Sequence, residues 1–276
     1  MRTIVNINMK GGVGKTTTTV NMAQILADMG KDVLVIDADP QANATLFYGF
    51  KDPEKTLDCT LAQLLDLDAE GRSDTAEDYV LQTFAPGIWL VPGSIDLVNV
   101  DIATIREDRV ASVKGIRDLL HSLNESAWIS NGVPEGGCDA FDFVLIDCPP
   151  SFSASSIAAI FAADDVIIPV EADLFSVAGL TQLMKQIDSV RRVKPDIRVA
   201  GALITKWHNA PACVQGEAAL RSSGLPVFEQ TIRRSEKVPE SIFLRQPLQA
   251  YSPQSAAGRD YRAFVAEYLE QIREVR

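Results

Sequence analysis

Three glycines, two lysines and two threonines fall within eight residues, Lys10-Gly11-Gly12-Val13-Gly14-Lys15-Thr16-Thr17. Glycines so closely spaced let a backbone fold tightly enough for successive N–H groups to point at one anion. A helix starting at the end of the run adds the positive end of its dipole. The run closes on the G-K-[ST] of a phosphate loop, in which Lys15 reaches β- and γ-phosphates. The Thr16 hydroxyl is placed to ligate Mg²⁺, and Thr17 to donate to an α-phosphate. The chemistry implied is the binding of a nucleoside triphosphate with Mg²⁺.

Carboxylates of the kind such chemistry needs recur at two further places. The apolar run Asp32 to Ile36 ends in Asp37-Ala38-Asp39-Pro40-Gln41, and Phe143 to Ile146 ends in Asp147-Cys148-Pro149-Pro150. A lone aspartate at a strand end is ordinarily a cap or turn former. Aspartates at the C-terminal ends of buried strands also lie where open α/β sheets bind ligands, and Asp147 stands as a Walker-B aspartate should.

The elements that must position these groups follow from hydrophobic patterning. Thr3 to Asn8 reads as a strand, and Thr16 to Met29 as a helix closed by Gly30. Ile88 to Val91, Val166 to Val170 and Ile197 to Thr205 read as further strands, with a brief last one at Pro226 to Phe228. Helices are expected at Thr60 to Leu67, Arg109 to Leu123, Val177 to Val190, 212–223 and about Ala256 to Val275. Residues 68–80 and 124–140 read as loops. Alternating strands and helices imply an α/β fold, a mostly parallel sheet with helices on both faces, as in P-loop NTPases.

Three signatures together, Lys10-Gly-Gly-Val-Gly-Lys15-Thr-Thr, Asp37-Ala-Asp39-Pro-Gln and Ile146-Asp147-Cys-Pro-Pro, resemble those of the ParA/MinD family of deviant Walker ATPases. The similarity runs nearly the whole length. It is strongest to the small chromosome- and plasmid-partitioning ParA proteins, through Asp39 to Thr45, Ile167-Ile-Pro-Val170, Gly179-Leu180 and Ile232 to Tyr251. The resemblance implies that Asp39 orients the attacking water, that Asp37 supports the magnesium shell and that Asp147 holds Mg²⁺ through water. Lys10 becomes the signature lysine contributed across an ATP-sandwich homodimer, and Lys10, Lys15 and Asp39 form the catalytic set. The implied function is an ATP-driven positioning switch. Its dimer binds nonspecific double-stranded DNA, and a ParB-like DNA-bound partner stimulates its slow hydrolysis. The match departs near the base pocket, where Arg233 stands in place of a proline, and Ala210 takes a basic position of the family.

Length and composition set the remaining bounds. With 276 residues, 46% of them hydrophobic, one domain spanning 1–276 is expected. No apolar run approaches the roughly 18 residues of a membrane span, so a cytoplasmic protein is expected, and the resemblance implies that it is nucleoid-associated. Cys59, Cys138, Cys148 and Cys213 show no C-x-x-C pair or metal-ligand spacing. The net charge of −11 speaks against nucleic acid, but residues 181–276 carry 15 Lys+Arg against 10 Asp+Glu, net +5. Arg233, Arg234, Lys237 and Lys206 are the first candidates for a DNA face, followed by Arg191, Arg192, Lys194 and Arg245.

Two other readings use the same loop. A MinD-like membrane switch would need a basic amphipathic C-terminal helix, whereas Arg259 to Arg276 mixes Asp260, Glu267, Glu270 and Glu274 with its arginines. An iron–sulfur carrier or reductase component would need cysteines placed to bridge a cluster between subunits.

Overall fold

The computed structural model describes residues 1–66, 73, 75–105, 113–125, 141–173 and 176–274. Among them one sheet has the strands β1 (Arg2–Asn6), β2 (Val33–Asp37), β3 (Leu81–Gln82), β4 (Ile88–Val91), β5 (Phe143–Asp147), β6 (Asp165–Glu171) and β7 (Arg198–Thr205). Their order is β3-β4-β2-β5-β1-β6-β7. All neighbours run parallel except the two-residue edge strand β3, which is antiparallel to β4. The helices are α1 (Lys15–Asp28), α2 (Asn43–Phe47), α3 (Pro53–Thr56), α4 (Leu61–Leu65), α5 (Leu97–Ile105) and α6 (Gly115–Glu125). They continue with α7 (Ala154–Ala162), α8 (Ser176–Arg191), α9 (Pro211–Arg221), α10 (Lys237–Phe243), α11 (Leu248–Tyr251) and α12 (Ala256–Glu274).

The central strands β2 and β5 are apolar up to their final aspartates because both their faces are covered. Leu34 and Ile36 of β2 face one core, with Ile116, Leu119 and Leu120 of α6 and Ile160 of α7. Val33 and Val35 face the other, with Val20, Met22 and Leu26 of α1 and Tyr261, Phe264 and Tyr268 of α12. The period-two alternation of a strand divides one hydrophobic run between two cores.

Strands β1, β2 and β5 lie side by side with Asn6, Asp37 and Asp147 in register at their C-terminal ends. The chain leaves β1 for β2 on one side, and later leaves β5 for β6 on the other. The crevice between these departures is where a sheet of this kind receives a ligand, and the residues singled out in the sequence converge there.

Several expectations are corrected. Pro226 to Phe228 forms no strand of its own; Val227 makes a single parallel bridge to Ala202. Within 68–80, Ala76–Tyr79 is a 3-10 turn that buries Tyr79, because the tyrosine ring completes the core beside α6. The helix expected from Arg109 begins at Gly115; residues 109–112 and most of the loop expected at 124–140 lie outside the described residues. Cys138 lies outside them as well.

Candidate functional site

The loop between β1 and α1 is built to expose backbone N–H groups. Gly12 and Gly14 adopt φ of 75° and 91°, a region costly for residues with a Cβ. Gly14 caps α1 with no side-chain hydrogen bond, and the first turn carries no acidic residue. Its N–H groups are left for an anion. The loop is fixed from both flanks. Asn8 donates to Pro169 O at 2.8 Å while accepting from the Lys10 N–H, and the Thr205 hydroxyl donates to Val13 O at 2.8 Å.

Lys15 is 7% exposed, and its ammonium donates to Lys10 O at 3.2 Å, inside the loop's own curve. Burial lowers its pKa, and the field of Asp147 partly restores it. Thr16 Oγ1 donates to Asp147 Oδ2 at 2.6 Å, so hydroxyl and carboxylate meet at one point. Thr17 lines a cavity of about 950 Å³ that runs from Gly12 and Gly14 to Arg233, Arg234 and Tyr261.

Asp37 is fully buried. Thr45 donates to its Oδ2 through both N–H and hydroxyl, each at 2.8 Å, and the Asp39 N–H donates to Oδ1 at 3.2 Å. The Thr45 hydroxyl in turn accepts from the Gly93 N–H at 3.0 Å. A Cβ on Gly93 would stand 2.6 Å from Asp37 O and 3.1 Å from Asp37 Cγ, so only glycine lets β4's continuation cross here. Asp39 is 6% exposed, with Oδ1 accepting from the Gln41 N–H at 2.9 Å.

Buried carboxylates this close raise one another's pKa. Burial first, and then the Asp37 charge, hold the Asp147 carboxyl well above the usual range, against the Thr16 hydroxyl bond. Burial pushes Asp37 up to about 6, with Thr45 opposing. The cluster is therefore short of positive charge, and the donors present suit a hard cation with oxygen ligands. Among the described residues no three His, Cys, Asp or Glu side chains converge as a metal cage.

Lys10 points away from its own loop. Its ammonium pairs with Asp173 and stands 3.8 Å from Glu171 Oε2. The predicted DNA-face cations are also engaged. Lys206 reaches Glu171 Oε1 at 2.5 Å, Arg233 Nη2 reaches Asp260 Oδ1 at 2.6 Å, and Lys237 reaches Glu240 Oε2 at 2.6 Å. Arg234 is 3.9 Å from Glu236 Oε1. Lys206, Arg233 and Arg234 line the same cavity as the phosphate loop rather than a separate surface. Arg245, in a left-handed conformation, borders a smaller cavity beside Thr16 and Thr17. Counting charges along the chain could not reveal these pairings. Thr45, Gly93, Asp173 and Asp260, which contact these side chains, carry no site role in the sequence reading; Thr45 alone lies within a quoted signature.

Cys59, Cys148 and Cys213 are buried, and burial raises the Cys148 thiol well above its usual range. The apolar stripe of α12 is spent on the core through Tyr261, Phe264, Val265 and Tyr268. Among the described residues no helix is long and apolar enough to cross a membrane.

Residues 1–199 match the family model AAA_31, described as an AAA domain. The chain is 31% identical over 277 residues to the chromosome partitioning protein ParA of Caulobacter vibrioides, covering 99% of this chain and 96% of that one. Among solved structures it is similar to cobyrinic acid a,c-diamide synthase from Mycobacterium smegmatis with bound ADP and magnesium. That likeness has a TM-score of 0.79 and 25% identity, covering 100% of this chain and 97% of that one. The cell division ATPase MinD of Pyrococcus furiosus shares the fold, with a TM-score of 0.73 at 23% identity over 98% of this chain and 99% of that one.

Proposed function

The chain belongs to the AAA_31 family as a ParA/MinD-type P-loop ATPase, and from that premise we propose that it is the ATP-dependent, dimerising switch of a DNA partition or positioning system. The observation that carries the reading is the meeting of Lys15, Thr16 and Asp147 at the C-terminal ends of β1 and β5, with Asp37 in register beside them. Lys15 faces the β- and γ-phosphates of ATP. Thr16 would hold Mg²⁺, with Asp147 and Asp37 behind it, and the ion would supply positive charge beside the phosphates. Asp39 orients the attacking water, and positioning of this sort is most of what phosphoryl transfer asks of a protein.

Lys10 acts in the partner subunit, which requires its pair with Asp173 to open. The ATP dimer then binds double-stranded DNA without regard to sequence, and a ParB-like partner stimulates hydrolysis. The DNA step rests on the excess of basic residues after 180 and on the resemblance. With Arg233 held by Asp260, Arg234 and Lys237 are the residues to reverse.

Light scattering with ATP·Mg²⁺ tests the division of roles. Asp39→Ala should bind ATP, dimerise and fail to hydrolyse it, whereas Lys10→Ala should bind ATP and dimerise poorly. A persistently monomeric Asp39→Ala protein would overturn that division. Binding of Asp39→Ala to fluorescent duplexes should need ATP, ignore sequence and weaken steeply with salt. Equal binding with ADP, or in the Arg234→Glu/Lys237→Glu variant, would remove the DNA step.

A further inference from the structure

Ser153, Ser155 and Ser156 stand at the start of α7, a helix otherwise apolar and packed in the core through Ala158, Ala159 and Ile160. Ser155 is buried with them, at 2% exposure. A hydroxyl taken that far out of water needs a partner. Its partner is on the segment leaving β2: Ser155 Oγ donates to Ala38 O at 2.9 Å, across 117 residues. With that hydrogen committed, Ser153 is the donor in the 2.9 Å contact between the hydroxyls of Ser153 and Ser155.

The Ala38 carbonyl belongs to the peptide unit that joins Ala38 to Asp39. The N–H of the same unit donates to Asp37 Oδ1 at 3.2 Å. Both polar atoms of the unit are therefore held, and the plane that sets the direction of the Asp39 Cα is fixed. One residue earlier, the Ala38 N–H donates to Asp147 O at 2.8 Å. The clamp is itself anchored. Ser153 Oγ accepts from the Ser156 N–H at 3.3 Å, and Asp101 Oδ1 of α5 accepts from the Ala154 N–H at 2.8 Å. Docking α7 on the sheet needs only its apolar side chains, and a hydroxyl aimed at this one peptide adds direction rather than burial.

We infer that Ser155 is a positioning residue for hydrolysis, acting through the Ala38–Asp39 peptide on the aim of the Asp39 carboxylate, given the reading of Asp39 as the group that orients the attacking water. Because α7 follows directly on Asp147-Cys148-Pro149-Pro150, Ser155 also ties the segment that bears Asp39 to the one that bears Asp147. A carboxylate that must align a water tolerates little displacement, whereas nucleotide binding, carried by the phosphate loop, does not pass through this peptide.

The test uses the full chain and separates rate from binding. In single-turnover hydrolysis of ATP with Mg²⁺, Ser155→Ala should be slower by about tenfold or more, while calorimetry with a non-hydrolysable ATP analogue should find its affinity within about twofold of wild type. By amide hydrogen exchange, the peptide covering 37–42 should lose protection in Ser155→Ala, with the phosphate loop unchanged. Ser155→Cys, close in size and a weak donor, should show both effects to a smaller extent, and it carries the test if Ser155→Ala does not fold. A wild-type rate in Ser155→Ala overturns the inference whether or not protection at 37–42 changes, as does a fall in analogue affinity that matches the fall in rate. Asp39→Ala is run alongside. Its hydrolysing at the wild-type rate would overturn the reading of Asp39 and this inference with it, whereas loss in Asp39→Ala without loss in Ser155→Ala overturns the inference alone.

Discussion

Two buried carboxylate clusters sit at opposite ends of the same sheet, and the chain treats them differently. At the start of β6, Asp165 is fully buried and accepts from Arg2 Nε at 2.7 Å, Arg198 Nε at 2.5 Å and the Tyr268 hydroxyl at 2.6 Å. Burial alone would raise its pKa, but these three donors together bring it below the usual carboxylate range. At the other end Asp37, Asp39 and Asp147 crowd together, Lys15 is the cation whose field reaches Asp147 and Asp39, and the carboxyls of Asp37 and Asp147 are raised. A charge that serves the fold is neutralised from within the chain. A charge that serves a ligand is left for the ligand to neutralise.

The sharpest way to break this contrast is Lys15→Ala. It should abolish ATP binding by calorimetry, a loss of at least about a hundredfold, while far-ultraviolet circular dichroism stays native. Wild-type affinity in that variant would refute the site.

The second effect belongs to the opposite end. Asp165→Asn leaves two guanidinium groups and a tyrosine hydroxyl facing a neutral amide, and should cost on the order of 3 kcal/mol of unfolding free energy. Denaturant titration measures it, and a change under about 0.5 kcal/mol would place Asp165 among ordinary surface charges.

The pH dependence separates the clusters by sign. Asp37 has a folded pKa of about 6, above its unfolded value near 3.9. The folded state therefore holds this proton more tightly, and stability is lost as pH rises from about 4 through about 6, on the order of 3 kcal/mol in all. Asp165, with its pKa depressed, contributes stability that is present above about 4 and lost as pH falls below it. In melting curves without nucleotide, Asp37→Asn should flatten the difference between pH 5 and 7.5 relative to wild type. An identical slope in the two proteins would contradict the charge shortage.

The smallest effect on stability is expected from Asp147→Asn. Removing one of three crowded carboxylates should leave unliganded stability unchanged or raised by up to about 1 kcal/mol, whereas ATP hydrolysis with Mg²⁺ should be lost. Strong destabilisation of the unliganded protein would make Asp147 a structural residue like Asp165.

What could be read from the sequence divides along a related line. Strands β2 and β5 and helices α8 and α12 are legible because each buries a continuous run or a single stripe, and that pattern is local, whereas α1, buried nearly all round, is legible from the phosphate loop before it and Gly30 after it. Helix α7, Ala154 to Ala162, is apolar on nearly every side and buried nearly all round, so it shows no stripe to read. Helices α10 and α11, of seven and four residues, are too short for a period to emerge. The phosphate loop and the strand-end aspartates are contiguous signatures and stand out. Asp173 meets Lys10 across 163 residues, and Asp260 meets Arg233 across 27, so the fold alone brings them together. The same long-range pairing hid the neutralisation of Lys206 and Arg233 from a count of charges.

The crossing at Gly93 bears on how the protein can vary. In a library of all single substitutions selected for function, position 93 should tolerate almost nothing. Even alanine would press a methyl group against the backbone and carboxyl of Asp37. Gly30 and Gly49, where a Cβ would meet no atom within 4 Å, should accept asparagine. Three glycines that look equivalent in the sequence would then separate into one point fixed by contact and two limited by their positive φ alone. The fixed point marks where the segment after β4 is threaded against the catalytic strand.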